Sequence, residues 1–565
     1  MTCYHKILVG KARILTDVKI EEENKDIKWT TLEHNGLYFP EEYTPLPNNV
    51  KLKYKEKRID LNSRDTDNEF NITAEEAAVF FATKLEQDER LIEKQKNRKR
   101  AVEDNVFVEN FFRDWKKILG NNTVIQDWKN IDFSEIQNYI KQSSEEKKKK
   151  SKEEKQEEKE EKDKIKEVYG YAIVDGYKSA LNGWIVQPPG LFIGHGEQPN
   201  RGKIKARLRP KDIIINCSKG KEPKCFVKNK PCKWGNIVND VKVTWIASYK
   251  NSVTNLTTYV YLDRKESMWV CASDKIKFDK AKNLKTNIET IRLQYKKDLE
   301  SKVEEVRQLA VAVYLLDKLA IRPGAEKDEK EEANTVGLTT LKCTNINFLE
   351  DNYIELKFIG KSSIEFQKKF KVESIVYKIL KQLCRAKREK PIFENVDASK
   401  LNIYLGDIVP NITAKVFRTW KACSTLQDAL DKLDIDKEDT VAAKKIAFDK
   451  VNIKVAEALN HKALTQNDNK VTKIQQKLEE EKNKLEEEKN QKKIEKIQQK
   501  INQLETKLEE AEGNISLTTS KVNYIDPRII VSWCKRVEMP IEKIYNKTSL
   551  KKFTWAMQNF SDWKF

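Results

Sequence analysis

VTKIQQKLEEEKNKLEEEKNQKKIEKIQQKINQLETKLEEA, residues 471–511, carries the strongest periodicity in the chain. Val471, Ile474, Leu478 and Leu485 fit one heptad series, and Ile494, Ile497, Ile501, Leu504, Leu508 and Ala511 fit a second. The step from Leu485 to Ile494 breaks the phase across a charged run. Two helices folded back on each other, turning near Asn490, account for the break; one long coiled-coil dimer helix with a skip is the rival. Outward from this segment, a short aromatic-rich tail follows (Trp533, Tyr545, Phe553, Trp555), and amphipathic helix patterns near 440–460 and 413–432 precede it. Residues 353–359 and 364–370 flank Gly360-Lys361-Ser362-Ser363 and read as a hairpin with Lys361 at its tip. Residues 303–320 read as a helix whose LAVAVYLL (309–316) is apolar nearly all round and therefore buried, stopping at Arg322-Pro323-Gly324.

Over residues 169–249 the texture turns to Gly, Pro and β-branched residues. Within it KIKARLRPK alternates strictly, with Lys203, Lys205, Arg207 and Arg209 on one side and Ile204, Ala206 and Leu208 on the other. As one strand, the four cations would span roughly 20 Å and could follow a row of phosphates; an ordinary exposed strand is the plainer reading. VKLKYKEKR (50–58) likewise suggests a strand with Lys51, Lys53, Lys55 and Lys57 on one face. Helical patterns run from Thr73 to Leu119, and residues 145–164, almost wholly Glu and Lys, read as a solvated helix or a connector.

The 565 residues exceed one compact core and imply two to four domains. Lys plus Arg number 108 against 89 Asp plus Glu, a formal charge of +19, which points to an acidic partner, nucleic acid before membrane. No apolar run is long enough to span a bilayer, and residues 1–11 have neither an apolar h-region nor a small-residue cleavage site. Of the nine cysteines only Cys217, Cys225 and Cys232 cluster, and there is no CxxC; with only four histidines this supports reduced thiols rather than zinc. There is no GxxxxGK[ST], and the one close acid pair, Asp434 and Asp436, lacks further acids at motif spacing, so neither ATP-driven work nor two-metal phosphoryl transfer is indicated. The remaining candidate groups, Arg, Lys, His and Tyr, suit metal-free transesterification at phosphate with tyrosine as nucleophile. Guanidiniums would hold the charged phosphate oxygens, a lysine would protonate the departing sugar oxygen, and a phenol of pKa about 10 would need a cationic site to ionise.

Composition cannot choose among 108 cations and 18 tyrosines. SKVNYIDPRIIVSWCK (520–535) followed by PIEKIYNKT (540–548) resembles the active-site tail of eukaryotic type IB DNA topoisomerases. The resemblance continues through KWTTLEH (28–34), FFRDW (111–115), PPGLF (188–192), RPKDIIINCSK (209–219), KVTW (242–245), DKLAIRPG (317–324), TVG (335–337), FIGKSSI (358–364) and TAKVFRT (413–419), covering about residues 28–565 in consistent order. It implies a catalytic set of Arg322, Lys361, Arg418, His461 and Tyr524, with Asn523 beside the nucleophile. Local readings agree with each. Arg322 follows a buried helix, and Lys361 tops a hairpin from which it could act as general acid. Arg418 shares a helix face with Lys415, opposite Phe417, Trp420 and Ser424. His461 follows Asn460 at a helix C-terminus, which favours an imidazolium that donates to phosphate. Each residue also has a plain structural reading: a salt-bridged arginine, a solvated lysine, an exposed basic face, a structural histidine, a packed ring.

The resemblance further implies an α+β multidomain clamp that encircles duplex DNA as a monomer, with no metal and no cofactor. A short extension (1–27) precedes a β-rich lobe (28–45 and 151–239) and a helical cap (46–150). A mainly helical, tyrosine-recombinase-like catalytic lobe (240–463), a helix-pair linker (464–515) and a C-terminal domain (516–565) complete it. Tyr524 would form a 3′-phosphotyrosine, and the cut strand would swivel and be resealed without ATP, in the nucleus or alternatively in a mitochondrion or other DNA-containing organelle. A tyrosine site-specific recombinase and a non-catalytic DNA clamp are the alternatives. Lys203, Lys205, Arg207, Arg209, Lys415 and Asn523 are the expected DNA contacts. The family pairs an arginine in its GLFRGRG-like loop with an aspartate after the hairpin lysine; those positions here hold His195 and Ser362. Its clamp-closing lysine falls on Asn200, with Arg201 as a substitute facing Glu331. The altered pair implies changed minor-groove contact beside the cut and weakened binding of camptothecin-like inhibitors; plasmid relaxation by this chain should resist camptothecin, and ordinary sensitivity would contradict the reading.

Overall fold

Ile213 and Ile215 are fully buried while Ile214 between them is exposed, so Ile213–Asn216 turns one face to a core and the other to solvent. This strand belongs to the main sheet of a computed structural model that describes residues 27–61, 66–93, 104–120, 123–194, 198–227, 230–262, 268–324, 335–385, 390–462 and 468–565. The chain divides into two compact units, the described residues up to 270 and those from 271 onward. The protein is a mixed α+β fold of several sheets and many helices.

In the first unit the seven strands run in the order Leu32–His34, Tyr171–Val174, Tyr177–Asn182, Thr257–Leu262, Trp245–Lys250, Ile213–Asn216 and Asn236–Val238. Neighbours are antiparallel except the last pair. Trp29, Leu32, Val174, Ile213, Ile246 and Val260 fill the buried face. A second core lies among helices Ala74–Glu93, Asn105–Leu119 and Ser134–Lys149, where Phe81 stacks on Phe111 at 4.4 Å and the Trp115 indole N–H donates to Ala74 O at 2.9 Å. The lysine-rich run at 50–58 is not one strand. Lys55 and Glu56 take positive φ (48° and 64°), so Leu52–Tyr54 and Lys57–Ile59 form a hairpin, and Glu135 gathers Lys53 and Arg58. The Glu/Lys-rich stretch is helical: Lys152–Tyr169 starts at a Ser151–Glu154 capping box and buries none of its residues.

The second unit is helical around Glu304–Leu319, eleven of whose residues are buried. Helices Met268–Asp298, Ser374–Leu383, Ala398–Ile408, Ala414–Leu430 and Val441–Ala458 and the tail helix Pro527–Arg536 belong to it, and the three-stranded sheet Ile346–Phe348, Tyr353–Gly360, Ile364–Lys371 lies alongside. The two heptad series lie on separate helices, Asp468–Glu487 and Gln491–Glu512, reversing at 488–490. Ile474 and Leu478 pack on Ile501 and Leu504, and Glu481 accepts from Lys484 (2.7 Å) and Lys500 (2.8 Å). This is the folded-back arrangement rather than one continuous helix.

Phe111→Ala removes a ring at the centre of the helical core, so the first unit should lose about 3–5 kcal/mol, read as a lower urea midpoint by tryptophan fluorescence. An unchanged midpoint would show that the site is not packed as described.

Candidate active site

The helix Glu304–Leu319 is anchored at its C-terminal end by Asp317, which accepts from Arg292 at 2.9 Å through both oxygens and from the Tyr295 hydroxyl at 3.1 Å. It ends where Ala320 turns left-handed (φ 49°), ahead of Pro323, and the chain leaves as the loop carrying half-buried Arg322. Leu338 N donates to Arg322 O and Thr339 N to Pro323 O, each at 2.8 Å. The segments touch at Gly324 (φ 87°) and Gly337, where a Cβ on Gly337 would stand 2.3 Å from Gly324 Cα, so only glycine fits. Val336 N in turn donates to Ile359 O at 2.7 Å, tying the hairpin to this loop. On its other strand, Asn460 Nδ2 donates to Glu365 O at 3.0 Å, tying the hairpin to the residue before His461. Lys361 sits at the exposed tip, followed by Ser362 and Ser363 at positive φ (64° and 57°).

Arg418 is only 4 % exposed. Its guanidinium donates to Ala320 O (2.6 Å), Leu459 O (3.0 Å) and His461 Nε2 (3.1 Å), while its Nε finds no acceptor among the described residues. The expected basic face is therefore not there. Lys415 is exposed, but Arg418 points inward with Phe417 and Trp420, because eleven of the 17 residues of helix Ala414–Leu430 are buried and Arg418 meets helix-end carbonyls. Asn460 takes the left-handed conformation (φ 52°) that ends Val441–Ala458, and His461 N closes the cap onto Ala456 O at 2.8 Å. The His461 ring, 3 % exposed, is held at Nδ1 by the Ser520 hydroxyl at 2.6 Å.

Tyr524 follows the short helix Leu517–Asn523, its N–H donating to Ser520 O at 3.0 Å. The Cys423 thiol donates to Tyr524 O (3.4 Å) and accepts from Asp526 N (3.2 Å). Asp526 caps Pro527–Arg536 through Arg528 N and pairs with the Arg528 guanidinium, which lies over Trp555 and Trp563. So held, the Tyr524 ring lies 5.0 Å from the His461 ring and 5.1 Å from the Arg418 guanidinium. Burial alone would raise the phenol pKa, but the charges and hydrogen bonds of Arg418 and Arg322 outweigh it and hold it below the usual tyrosine value. Burial, then Arg322, pulls Arg418 down to about 10, so it stays charged. Burial and the two guanidiniums pull His461 down to about 3. The expected imidazolium is a neutral ring, because desolvation and two cations outweigh the helix end. The structure thus gathers Arg322, Arg418, His461 and Tyr524, and ties the tip end of the Lys361 hairpin to two of the same segments.

Residues 27–262 match the family model "Eukaryotic DNA topoisomerase I, DNA binding fragment", residues 266–515 its "catalytic core", and residues 491–565 the "C-terminal topoisomerase domain". The chain is 38% identical over 573 residues to DNA topoisomerase 1 alpha of Arabidopsis thaliana, and 36% identical over 577 and 578 residues to DNA topoisomerase 1 of Homo sapiens and Xenopus laevis. These alignments cover 95%, 95% and 94% of this chain, and 59%, 72% and 66% of the respective relatives. The chain belongs to the eukaryotic DNA topoisomerase I family.

Within the part matching the topoisomerase DNA binding fragment, the cationic row differs from expectation. Only Ile204–Lys205 is a strand, and Lys203, Lys205, Arg207 and Arg209 are all half-buried. Arg207 pairs with Glu76 at 2.5 Å, Ala206 N donates to Ser252, and burial lowers the Lys205 pKa. Packing against two neighbouring segments breaks what strict alternation suggested. Arg201 is likewise paired with Asp104 of its own unit, and Asn200 is buried. His195 and Glu331 lie outside the described residues. Asn523 is exposed, its carbonyl accepting from Lys277 at 3.2 Å. Ser520, Cys423 and Asp526 escaped the sequence reading; only Asp526-Pro527, a helix-start signal, was visible there.

Two neutral buried histidines give this topoisomerase relative a pH signature. His34 donates from Nε2 to Asn216 O and accepts Gly36 N at Nδ1, and burial lowers its pKa to about 4. Both folded pKa values lie below the ordinary 6.5, so unfolding takes up protons in that window. Their stability contribution is complete above about pH 6.5 and is lost as pH falls towards 4 and 3. In chemical denaturation at stepped pH, His34→Gln should flatten the slope of the first unit and His461→Asn that of the second; parallel profiles would contradict the burial.

Proposed function

We propose that this chain relaxes supercoiled duplex DNA, without ATP or metal, by transient single-strand cleavage through Tyr524. The observation that carries the reading is Arg418, a buried cation whose Nε has no acceptor among the described residues, beside a second guanidinium and a tyrosine of lowered pKa. A phosphodiester supplies the missing acceptor and charge at once. Arg322 and Arg418 hold its non-bridging oxygens, and their stabilisation grows as negative charge builds there. The Tyr524 oxygen attacks phosphorus, its proton passing to water, and the phosphorus–O5′ bond breaks to leave a 3′-phosphotyrosine. Lys361 protonates the departing O5′; its hairpin is anchored to the Arg322 loop and to Asn460. His461 contacts a phosphate oxygen. The cut strand rotates and its 5′-hydroxyl reverses the step.

The chain works as a monomer around its DNA, in the nucleus. Lys203, Lys205, Arg209, Lys415 and Asn523 are its phosphate contacts, while Arg207 is already neutralised by Glu76. Ser362 takes the place after the lysine at the hairpin tip. The names of its relatives, and the helix pair inserted before Tyr524, favour relaxation over site-specific recombination.

Relaxation of supercoiled plasmid in EDTA without nucleotide tests the reading. Tyr524→Phe should lose roughly 1,000-fold or more, and Arg418→Ala about 100- to 1,000-fold. Lys361→Ala should slow cleavage on the order of 100-fold, and a substrate with sulfur at the leaving 5′ position should restore it, since a thiolate departs unprotonated. Undiminished relaxation by Tyr524→Phe would remove the nucleophile.

A further inference from the structure

Ser520 is 0 % exposed, and its hydroxyl is 2.6 Å from His461 Nδ1. Across the ring, Arg418 contacts Nε2 at 3.1 Å, and a guanidinium only donates. Nε2 therefore carries the lone pair, and in a neutral ring Nδ1 carries the proton and donates to Ser520 Oγ. A phosphate oxygen only accepts, so His461 can serve it only with the proton on Nε2. Protonating the whole ring is opposed by burial and by Arg418 and Arg322. The remaining route keeps the charge constant: one proton leaves Nδ1, one arrives at Nε2, both exchanged with water, and the serine hydroxyl rotates from acceptor to donor. Serine can do this because a hydroxyl both donates and accepts; a carboxylate there would hold the proton on Nδ1, and a methyl group would leave Nδ1 buried and unpaired.

We propose that Ser520 is a positioning residue that lets His461 switch between the two neutral tautomers, accepting from Arg418 in the free protein and donating from Nε2 to the phosphate once DNA is seated. The proposal rests on the reading of His461 as a phosphate contact. It extends to the nucleophile by geometry, since the Ser520 carbonyl accepts from Tyr524 N and Ile525 N, each at 3.0 Å. One residue thus holds the histidine by its side chain and the turn before Tyr524 by its backbone. Replacing the side chain tests the first role and spares the second.

The chain has four histidines, so ring-nitrogen spectra of the full-length protein labelled with [15N]histidine can be resolved, with His461 assigned by its loss in His461→Asn. In a Tyr524→Phe background the free protein should show His461 protonated at Nδ1 and neutral; a bound duplex oligonucleotide should move the proton to Nε2 without charging the ring. Ser520→Ala should abolish that exchange, and in otherwise unaltered protein should slow single-turnover cleavage of a suicide oligonucleotide roughly 100-fold, whereas Ser520→Thr stays within about tenfold of the parent. A free ring already protonated at Nε2, a doubly protonated ring on DNA, undiminished cleavage by Ser520→Ala, or Ser520→Thr as slow as Ser520→Ala would each overturn the proposal. Failure of the underlying reading registers separately, as undiminished cleavage by His461→Asn.

Discussion

Burying a guanidinium without a carboxylate is unfavourable by several kcal/mol unless other groups replace its water, and Arg418 meets this constraint with carbonyls from two helix ends and the ring of His461. Ala320 can accept only because its helix stops in a left-handed turn, and Leu459 only because Asn460 stops the next one. The cation therefore requires three segments remote in sequence to end at one place. Its Nε finds no acceptor among the described residues. Fold and site answer to the same buried charge.

That charge acts on its neighbours in opposite senses. Two guanidiniums make the Tyr524 phenol easier to ionise and the His461 imidazole harder to protonate. On its far side the histidine meets a hydroxyl from 59 positions along the chain.

The long helix pair does not separate these groups. Lys462 bridges to Ile515, and Ser516 N donates to His461 O at 2.8 Å, so the excursion leaves and returns at the same point. Ile453 and Ala456 pack on Ile515, seating the returning chain on the helix that presents His461. The tail that carries Tyr524 is held in turn by the Asp526 cap, the Cys423 thiol and the two tryptophans around Arg528.

Much of this was legible in one dimension wherever a local rule governs. Heptad phase separated two helices, apolar residues on all sides marked Glu304–Leu319 as buried, and glycine, serine and charge placed Lys361 at a turn. Ordered motifs, not composition, singled out the five candidate residues. Local rules failed where packing decides. Lysine and arginine alternation at 50–58 and 203–209 implied charged strands, but a left-handed turn folds the first into a hairpin and an acid on a helix claims Arg207 from the second. A helix C-terminus suggested a charged His461, but only the tertiary structure brings two guanidiniums beside it and buries it. By itself the sequence determined the elements and the family and singled out the candidate groups, since these follow from side-chain pattern. Their protonation states, the inward turn of Arg418 and the partnership of Ser520 with His461 were decided by the fold, because each depends on dehydration and on neighbours that sequence distance conceals.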